Sequence, residues 1–569
     1  MAWRTRSIRP FRAALGCRRC GIRNARWLRT PRHTVHGAYR TGTRLVSNIE
    51  RFDAIVIGSG AAGCLAASRL AEAGRSVLIL ESGPARSLRD LTSSQLWARR
   101  LKWGGAPVIE RGRHPIGHNF NVGWGTGGAA LHHYAVWPRL HPSDFSMARD
   151  HGRGVDWPLS YTELRPWYDL IQDEVGIAGD HTRESWRPDG KPYNQAPVPV
   201  FRHAELIAGG FTRLGMQTAP LPLAVRTRNG TDRQACIWDG WCDAGCPTGA
   251  LANPLVTYLP RALRAGARLL HDATVTEITT DATGSRVTGV QWRNTGGSTH
   301  AASASIVVLA ASTIQNSRLL LASRSRSPRG LANGSGQVGR SIMAHLACQV
   351  FGLWDEDTYC HMGTTGGQLL NQDGYVKTHP GDAFGSWQWI IGNALKPNDL
   401  LGIALNRPDL HGTKLDDFMR RAARGCGVIT AVAEDLPRPE NRVTLLERND
   451  GWGVPLAQVE HECATESVAL WDSARTQGLR IMEAAGALEA WAGNIGPMHN
   501  MGGTVMGTDP AASVTNGWGQ CHELPNLVIT GSSLFPTSGG VNPTFTIHAL
   551  TARSMQHLLD NWGDIAPRS

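Results

Sequence analysis

Apolar residues first cluster at Ala54–Ile57, four in a row between Asp53 and Gly58. A run this short, bounded by a charge and a glycine, predicts a buried strand. An Ala- and Leu-rich stretch then predicts a helix reaching about Ala73, where Gly74 can act as the C-cap. A second apolar run, Val77–Leu80, stops at Glu81 and predicts another buried strand. Strand, helix and strand in close succession form the unit of a parallel sheet, so an α/β fold is expected. The 569 residues suffice for two or more lobes. No stretch approaches the roughly 20 apolar residues of a membrane-spanning helix.

The turn between the first strand and the helix carries chemistry. Gly58, Gly60 and Gly63 form a G-x-G-x-x-G pattern, with Ala61 and Ala62 opening the helix. Gly58 permits the tight turn, Gly60 lets a pyrophosphate approach the backbone, and Gly63 lets the helix pack closely on the strand. The helix N-terminus offers unpaired N–H groups to the phosphates. Glu81 follows Gly60 by 21 residues, the distance at which an acid accepts hydrogen bonds from ribose hydroxyls. The motif points to a dinucleotide and does not separate FAD from NAD.

A net charge of +11 suggests a nucleic-acid partner, but the charge is local. Residues 1–49 hold 12 Arg and no Asp, Glu or Lys, which leaves 46 basic against 47 acidic residues in the rest. The body of the protein has no basic field for DNA or RNA. The N-terminal extension has either the composition of an organelle transit peptide or that of upstream sequence read from an early start. A cytoplasmic location is the default, and a mitochondrial or other organellar one follows if it is a transit peptide.

Three of the cysteines stand together in "CIWDGWCDAGCP": Cys236, Cys242 and Cys246, with five and three residues between them. The others are dispersed, which is not a disulfide framework. The cluster reads either as a metal site or as a turn of buried thiols. A zinc ion would need a fourth ligand, and none is obvious nearby.

The C-terminal part holds "HNMGGTVMGTDP" (499–510) and "LPNLVITGSSLFPTSGGVNPTFTIHAL" (524–550). With these the chain resembles the glucose–methanol–choline oxidoreductase family, and most of all the branch of cholesterol oxidase, pyranose oxidase and the sugar and gluconate dehydrogenases. "GTGGAALHHYAVWPRLHPSDF" (125–145), "VVLAASTIQNSRLLLAS" (307–323), "GQVGRSIMAH" (336–345) and "PRPENRVTL" (437–445) extend the resemblance in order over nearly the whole chain after residue 50.

The resemblance implies FAD and a two-lobed fold. A Rossmann-like FAD-binding domain is assembled from 50–145, 235–345 and 495–569. A substrate domain with an antiparallel sheet comes from 146–234 and 346–494. It assigns His499 and Asn542 to catalysis. It places Gly127, Gly128, His132, Val275, Gly531, Ser532 and Pro543 at the cofactor, with His132 either bonded to the flavin or free. Pro543 fits the first turn of a helix aimed at the flavin. The reaction implied is oxidation of a CH–OH group of an alcohol or sugar: hydride to flavin N5, and the hydroxyl proton to His499. In some relatives a Cys triad of this spacing holds a 3Fe-4S cluster, for which three thiolates suffice. A cluster would imply an electron-acceptor subunit or a quinone, and a bare turn would leave oxygen or a diffusible acceptor. An oxidase and a lyase or decarboxylase on the same fold are the alternatives.

Overall fold

The computed structural model of the chain describes residues 49–102 and 104–566. The Arg-rich extension, apart from Ile49, lies outside the described residues.

The strand Glu50–Ile57 lies between Val77–Leu80 and Thr299–Leu309, parallel to both. It begins four residues before its apolar run because Glu50–Phe52 also pair with Ala302–Ala304. Arg268–Leu270 continues the parallel order at one edge, and Leu527–Ile529 pairs with the C-terminal half of Thr299–Leu309. The hairpin Thr274–Thr280 and Val287–Arg293 adds two antiparallel strands. The side chains of Val77–Leu80 are at most 1% exposed, as a strand covered on both faces requires. The helix Ala61–Glu72 packs over this sheet, and Thr544–Asp560 packs against that helix.

A second sheet is antiparallel throughout. Its order is Glu489–Ala492, Met343–Leu353, Cys426–Ala433, Trp387–Ile391, Leu369–Asn371, Ala219–Pro220. Gly496–Met501 also pairs with Met343–Leu353. One boundary of the expected lobes therefore runs through hydrogen-bonded backbone, and another separates a strand from its partner. Met343–Leu353 passes unbroken across 345/346, and Gly496–Met501, expected with the nucleotide lobe, joins the second sheet. Trp387 and Trp389, 4% and 0% exposed, fill the core behind this sheet. No described helix is long and apolar enough to cross a membrane.

Candidate active site

A cavity of about 860 Å³ runs from the first Gly-rich turn to the second sheet. Its wall includes Gly58, Gly60, Ala61, Ala62, Glu81, Gly128, His132, Val275, Gly531, Ser532, Asn542, Pro543 and His499, so the sequence-predicted residues converge on one space. Gly63 and Gly127 stand behind the wall. A Cβ on Gly63 would lie 2.0 Å from the carbonyl oxygen of Gly58, so this glycine seats the helix on the strand. Gly127 N–H donates to Ser59 O at 3.0 Å, tying the second Gly-rich turn to the first. Gly60 is different: an added Cβ would meet no atom within 4 Å, so it borders open space. No side chain caps the helix that follows, whose first amides stay free for an anion. The open space at Gly60 and the uncapped helix fit a pyrophosphate lying on the turn.

The glycines make separable predictions. Gly63→Ala forces backbone apart and should cost about 1–3 kcal/mol or more, with loss of bound flavin. Gly60→Ala should keep the thermal midpoint of the flavin-free protein and lower the flavin-to-protein ratio, because its methyl meets no protein atom and occupies only the space a phosphate would use. Absorbance ratios with melting curves on both variants test this.

Glu81 does more than face a ribose. Its Oε2 accepts from Ser59 N–H (3.1 Å) and Oγ–H (2.7 Å), and its Oε1 accepts from Gly83 N–H (2.8 Å) and Gly125 N–H (3.2 Å). The carboxylate pins both Gly-rich turns together. His132 is buried, and its Nε2–H donates to Val122 O at 3.0 Å. Burial pushes its pKa down to about 3, so the ring is neutral.

His499 sits in a β-bulge. The pairing of Gly496–Met501 with Met343–Leu353 slips between Met498 and Asn500, and the extra residue is His499, at φ +58°. Its amide donates to Asn121 Oδ1 at 2.9 Å. A histidine in the left-handed region is uncommon, and such strain is held where the surroundings over-determine it. The bulge turns the ring into the cavity. Its Nε2 lies 3.2 Å from Asn542 Nδ2, and its Nδ1 lies 3.0 Å from His345 Nδ1. Asn542 Oδ1 accepts from Gln388 Nε2–H at 2.9 Å. Burial, and secondarily His345, hold the His499 pKa well below the usual histidine range.

Pro543 caps the helix Thr544–Asp560 instead of occupying its first turn, and Asn542, Pro543 and Thr544 all border the cavity. Toward the second sheet the wall carries Gln349, Asn393 and Thr430. Gln349 is exposed in the middle of an otherwise buried strand and stands opposite Thr430.

The cysteine turn lies beside the cavity, which Asp243 reaches. Trp238 N–H points at Cys236 Sγ (3.5 Å) and Leu251 N–H at Cys246 Sγ (3.3 Å). Cys246 is left-handed at φ +57°. Burial pushes Cys236 up to about 12 and Cys242 upward too. Among the described residues only Asp435, His461 and Cys463 bring ligand atoms within 4.8 Å of one another, so the three cysteines are too spread for one tetrahedral ion. The Asp435 group is already spent: His461 Nε2 meets Asp435 Oδ2 at 3.0 Å and its Nδ1 meets His114 O at 2.6 Å. Both ring nitrogens donate, and Asp435 raises the His461 pKa against the opposing effect of burial.

Family models described as GMC oxidoreductase match residues 52–347 and 437–551. The chain belongs to the GMC oxidoreductase family. The 2-methyl-1,2-propanediol dehydrogenase of Mycolicibacterium austroafricanum is 31% identical over 92% of this chain and 97% of its own. The fructose dehydrogenase large subunit of Gluconobacter japonicus is 28% identical, covering 90% and 98%. Paromamine 6'-oxidase of Streptomyces fradiae is 29% identical, covering 93% and 95%. Pyridoxine 4-oxidase from Mesorbium loti superposes with a TM-score of 0.61 over 89% of this chain and 98% of its own, at 16% identity, which establishes the fold. As a GMC oxidoreductase the chain binds FAD and oxidises CH–OH donors.

Around the GMC site, sequence reasoning missed Gln388 and the pairing of His345 with His499. Gln388 had a signal: a lone carboxamide in the apolar run "WQWII", fully buried, needs partners. His345 had none, because its neighbour lies 154 residues away.

Proposed function

We propose that His499 takes the hydroxyl proton of an alcohol or sugar donor, that Asn542 holds the same oxygen, and that the electrons leave to an acceptor other than oxygen. The observation that carries this is the 3.2 Å pairing of His499 Nε2 with Asn542 Nδ2 on the wall of the cavity that begins at Gly60. A hydroxyl entering there replaces one hydrogen bond by two, accepting from Asn542 and donating to His499. Two fixed groups on one oxygen also aim the carbinol C–H. Bound FAD supplies the acceptor for the hydride. Low basicity keeps His499 neutral at neutral pH, so the base is ready before the donor arrives. Gln349, Asn393 and Thr430 offer uncharged donors and acceptors that suit further hydroxyls. Lys396 on the same wall is tied to Asp399 (3.3 Å) and Asp243 (3.5 Å), so its charge is already paired.

Two of the relatives named above are dehydrogenases, and one is the large subunit of an assembly. They support a non-oxygen acceptor, either a partner subunit or a quinone. Cys236, Cys242 and Cys246 would hold a 3Fe-4S cluster, which would pass electrons on singly. The oxidase reading is favoured by one relative, paromamine 6'-oxidase. Iron and acid-labile sulfide counts on anaerobically purified protein decide the finer point. About three irons per flavin, lost in Cys242→Ser with flavin retained, is the expected result. Flavin without iron, and peroxide formed with substrate in air, would overturn it.

A further inference from the structure

His345 stands behind the cavity wall, yet it sits where it can decide the state of His499. Its Nε2 lies 2.7 Å from Gly539 O and 3.3 Å from Ser538 O. A carbonyl can only accept, so Nε2 carries the proton. A neutral His345 is then bare at Nδ1. That nitrogen is 3.0 Å from His499 Nδ1, a distance that needs one proton between them, and it must belong to His499. The Nε2 of His499 is left bare and faces Asn542.

The other end of the chain of contacts agrees. Asn542 Oδ1 accepts from Gln388, whose Oε1 accepts from Gln372 Nε2–H at 3.1 Å. Gln372 Oε1 in turn accepts from His141 Nε2–H at 3.2 Å. With Oδ1 so engaged, Asn542 presents Nδ2–H to His499, which can satisfy it only with a bare nitrogen. Every link from Gly539 to His141 runs in one direction.

We infer that His345 is a positioning residue that fixes the tautomer of His499, leaving Nε2 free to receive the proton of the donor hydroxyl. This rests on the reading of His499 as the base. When Nε2 takes that proton, the O–H bond breaks, an N–H bond forms, and the new positive charge is shared with the His345 lone pair through Nδ1–H. The charged groups facing His345 suit this. Asp435 and Asp144 lie behind it, each held by a cation, His461 at 3.0 Å and Lys377 at 2.6 Å. Burial lowers the His345 pKa to about 4, so it stays neutral and keeps its lone pair near neutral pH.

The test compares His345→Leu, which removes the acceptor, with His345→Gln, whose amide can both accept and donate. Anaerobic flavin reduction by the donor should slow by about 10- to 100-fold in the Leu variant at little-changed KM, and by only a few-fold in the Gln variant. The direct readout is ring 15N NMR of the labelled holoenzyme, with the His499 signals identified by their loss in His499→Asn. Wild type and His345→Gln should show Nδ1 protonated and Nε2 bare; His345→Leu should lose that preference. A wild-type His499 protonated at Nε2 overturns the inference, as does a Leu variant with unchanged rate and tautomer. If the Leu variant does not retain FAD, the wild-type tautomer decides alone. If His499→Asn reduces its flavin at the wild-type rate, the base reading fails instead, whatever the tautomer.

Discussion

His499→Asn should bind FAD normally and reduce it with donor roughly 10²–10⁴ times more slowly than wild type under anaerobic conditions. Asn is the informative replacement because residue 499 is left-handed at φ +58°, a conformation Asn tolerates better than other non-glycine residues. His499→Ala would mix loss of the base with backbone strain of about 1 kcal/mol or more. The residual rate reflects Asn542 and the geometry of the cavity. The pH dependence follows from the sign of the shift. Burial lowers the folded pKa of His499 below its ordinary 6.5, so the neutral base persists as pH falls through 6.5. Flavin reduction in wild type should therefore stay flat from pH 8 to below 6.5. A reductive rate that halves near pH 6.5, or an Asn variant within threefold of wild type, would remove His499 from this role.

Lys377→Met should be the most destabilising single change outside the cofactor site. The Lys377 ammonium lies 2.6 Å from Asp144 Oδ1 and 2.7 Å from Glu434 Oε2, and all three side chains are at most 2% exposed. Removing the cation leaves two carboxyl groups sharing a dry site, a loss of about 3–5 kcal/mol. Burial opposes the charge on Lys377, but Asp144 and Glu434 together raise its pKa above 10.5. Its contribution is thus whole below pH 10.5 and declines above it. Glu434 is raised above 4.5, by burial first, and loses its one compensating cation in the variant. The folded variant then binds protons more readily than the unfolded chain, so its deficit should shrink as pH is lowered toward 5. Urea unfolding at pH 8 and pH 5 measures both effects. An equal deficit at the two values would mean that cavity formation, not charge, sets the cost. The change should also reach the active site: Tyr375 OH donates to Asp144 Oδ2 at 2.8 Å and accepts from Gly540 N–H at 2.9 Å, two residues before Asn542.

The nucleotide end was legible because its signals are local. Val77–Leu80 and the helix after Gly60 follow from runs and glycines a few residues apart. The proposed catalytic pair stands out in the sequence through motifs at His499 and Asn542, but the geometry joining them does not. The bulge exists only against Met343–Leu353, and no pattern within residues 496–501 announces a slip in register. The buried charges Asp144, Lys377 and Glu434 come from three distant segments, each of which reads as ordinary polar loop or strand end. Glu81 was read for a ligand contact, and its four protein donors depend on how two Gly-rich turns meet. Lobe boundaries were drawn between motifs, whereas hydrogen bonding carries Met343–Leu353 through one of them.

The bulge has a consequence for anyone selecting hardier forms of this enzyme. Deleting one residue beside His499 would restore a regular ladder along Met343–Leu353, relieve a left-handed histidine, and turn the imidazole away from the cavity. With His499 as the proposed base, regularity and catalysis pull in opposite directions here. A screen that rewards heat resistance alone should therefore collect robust flavoproteins that do no chemistry, and such a screen needs turnover as a second criterion from its first round.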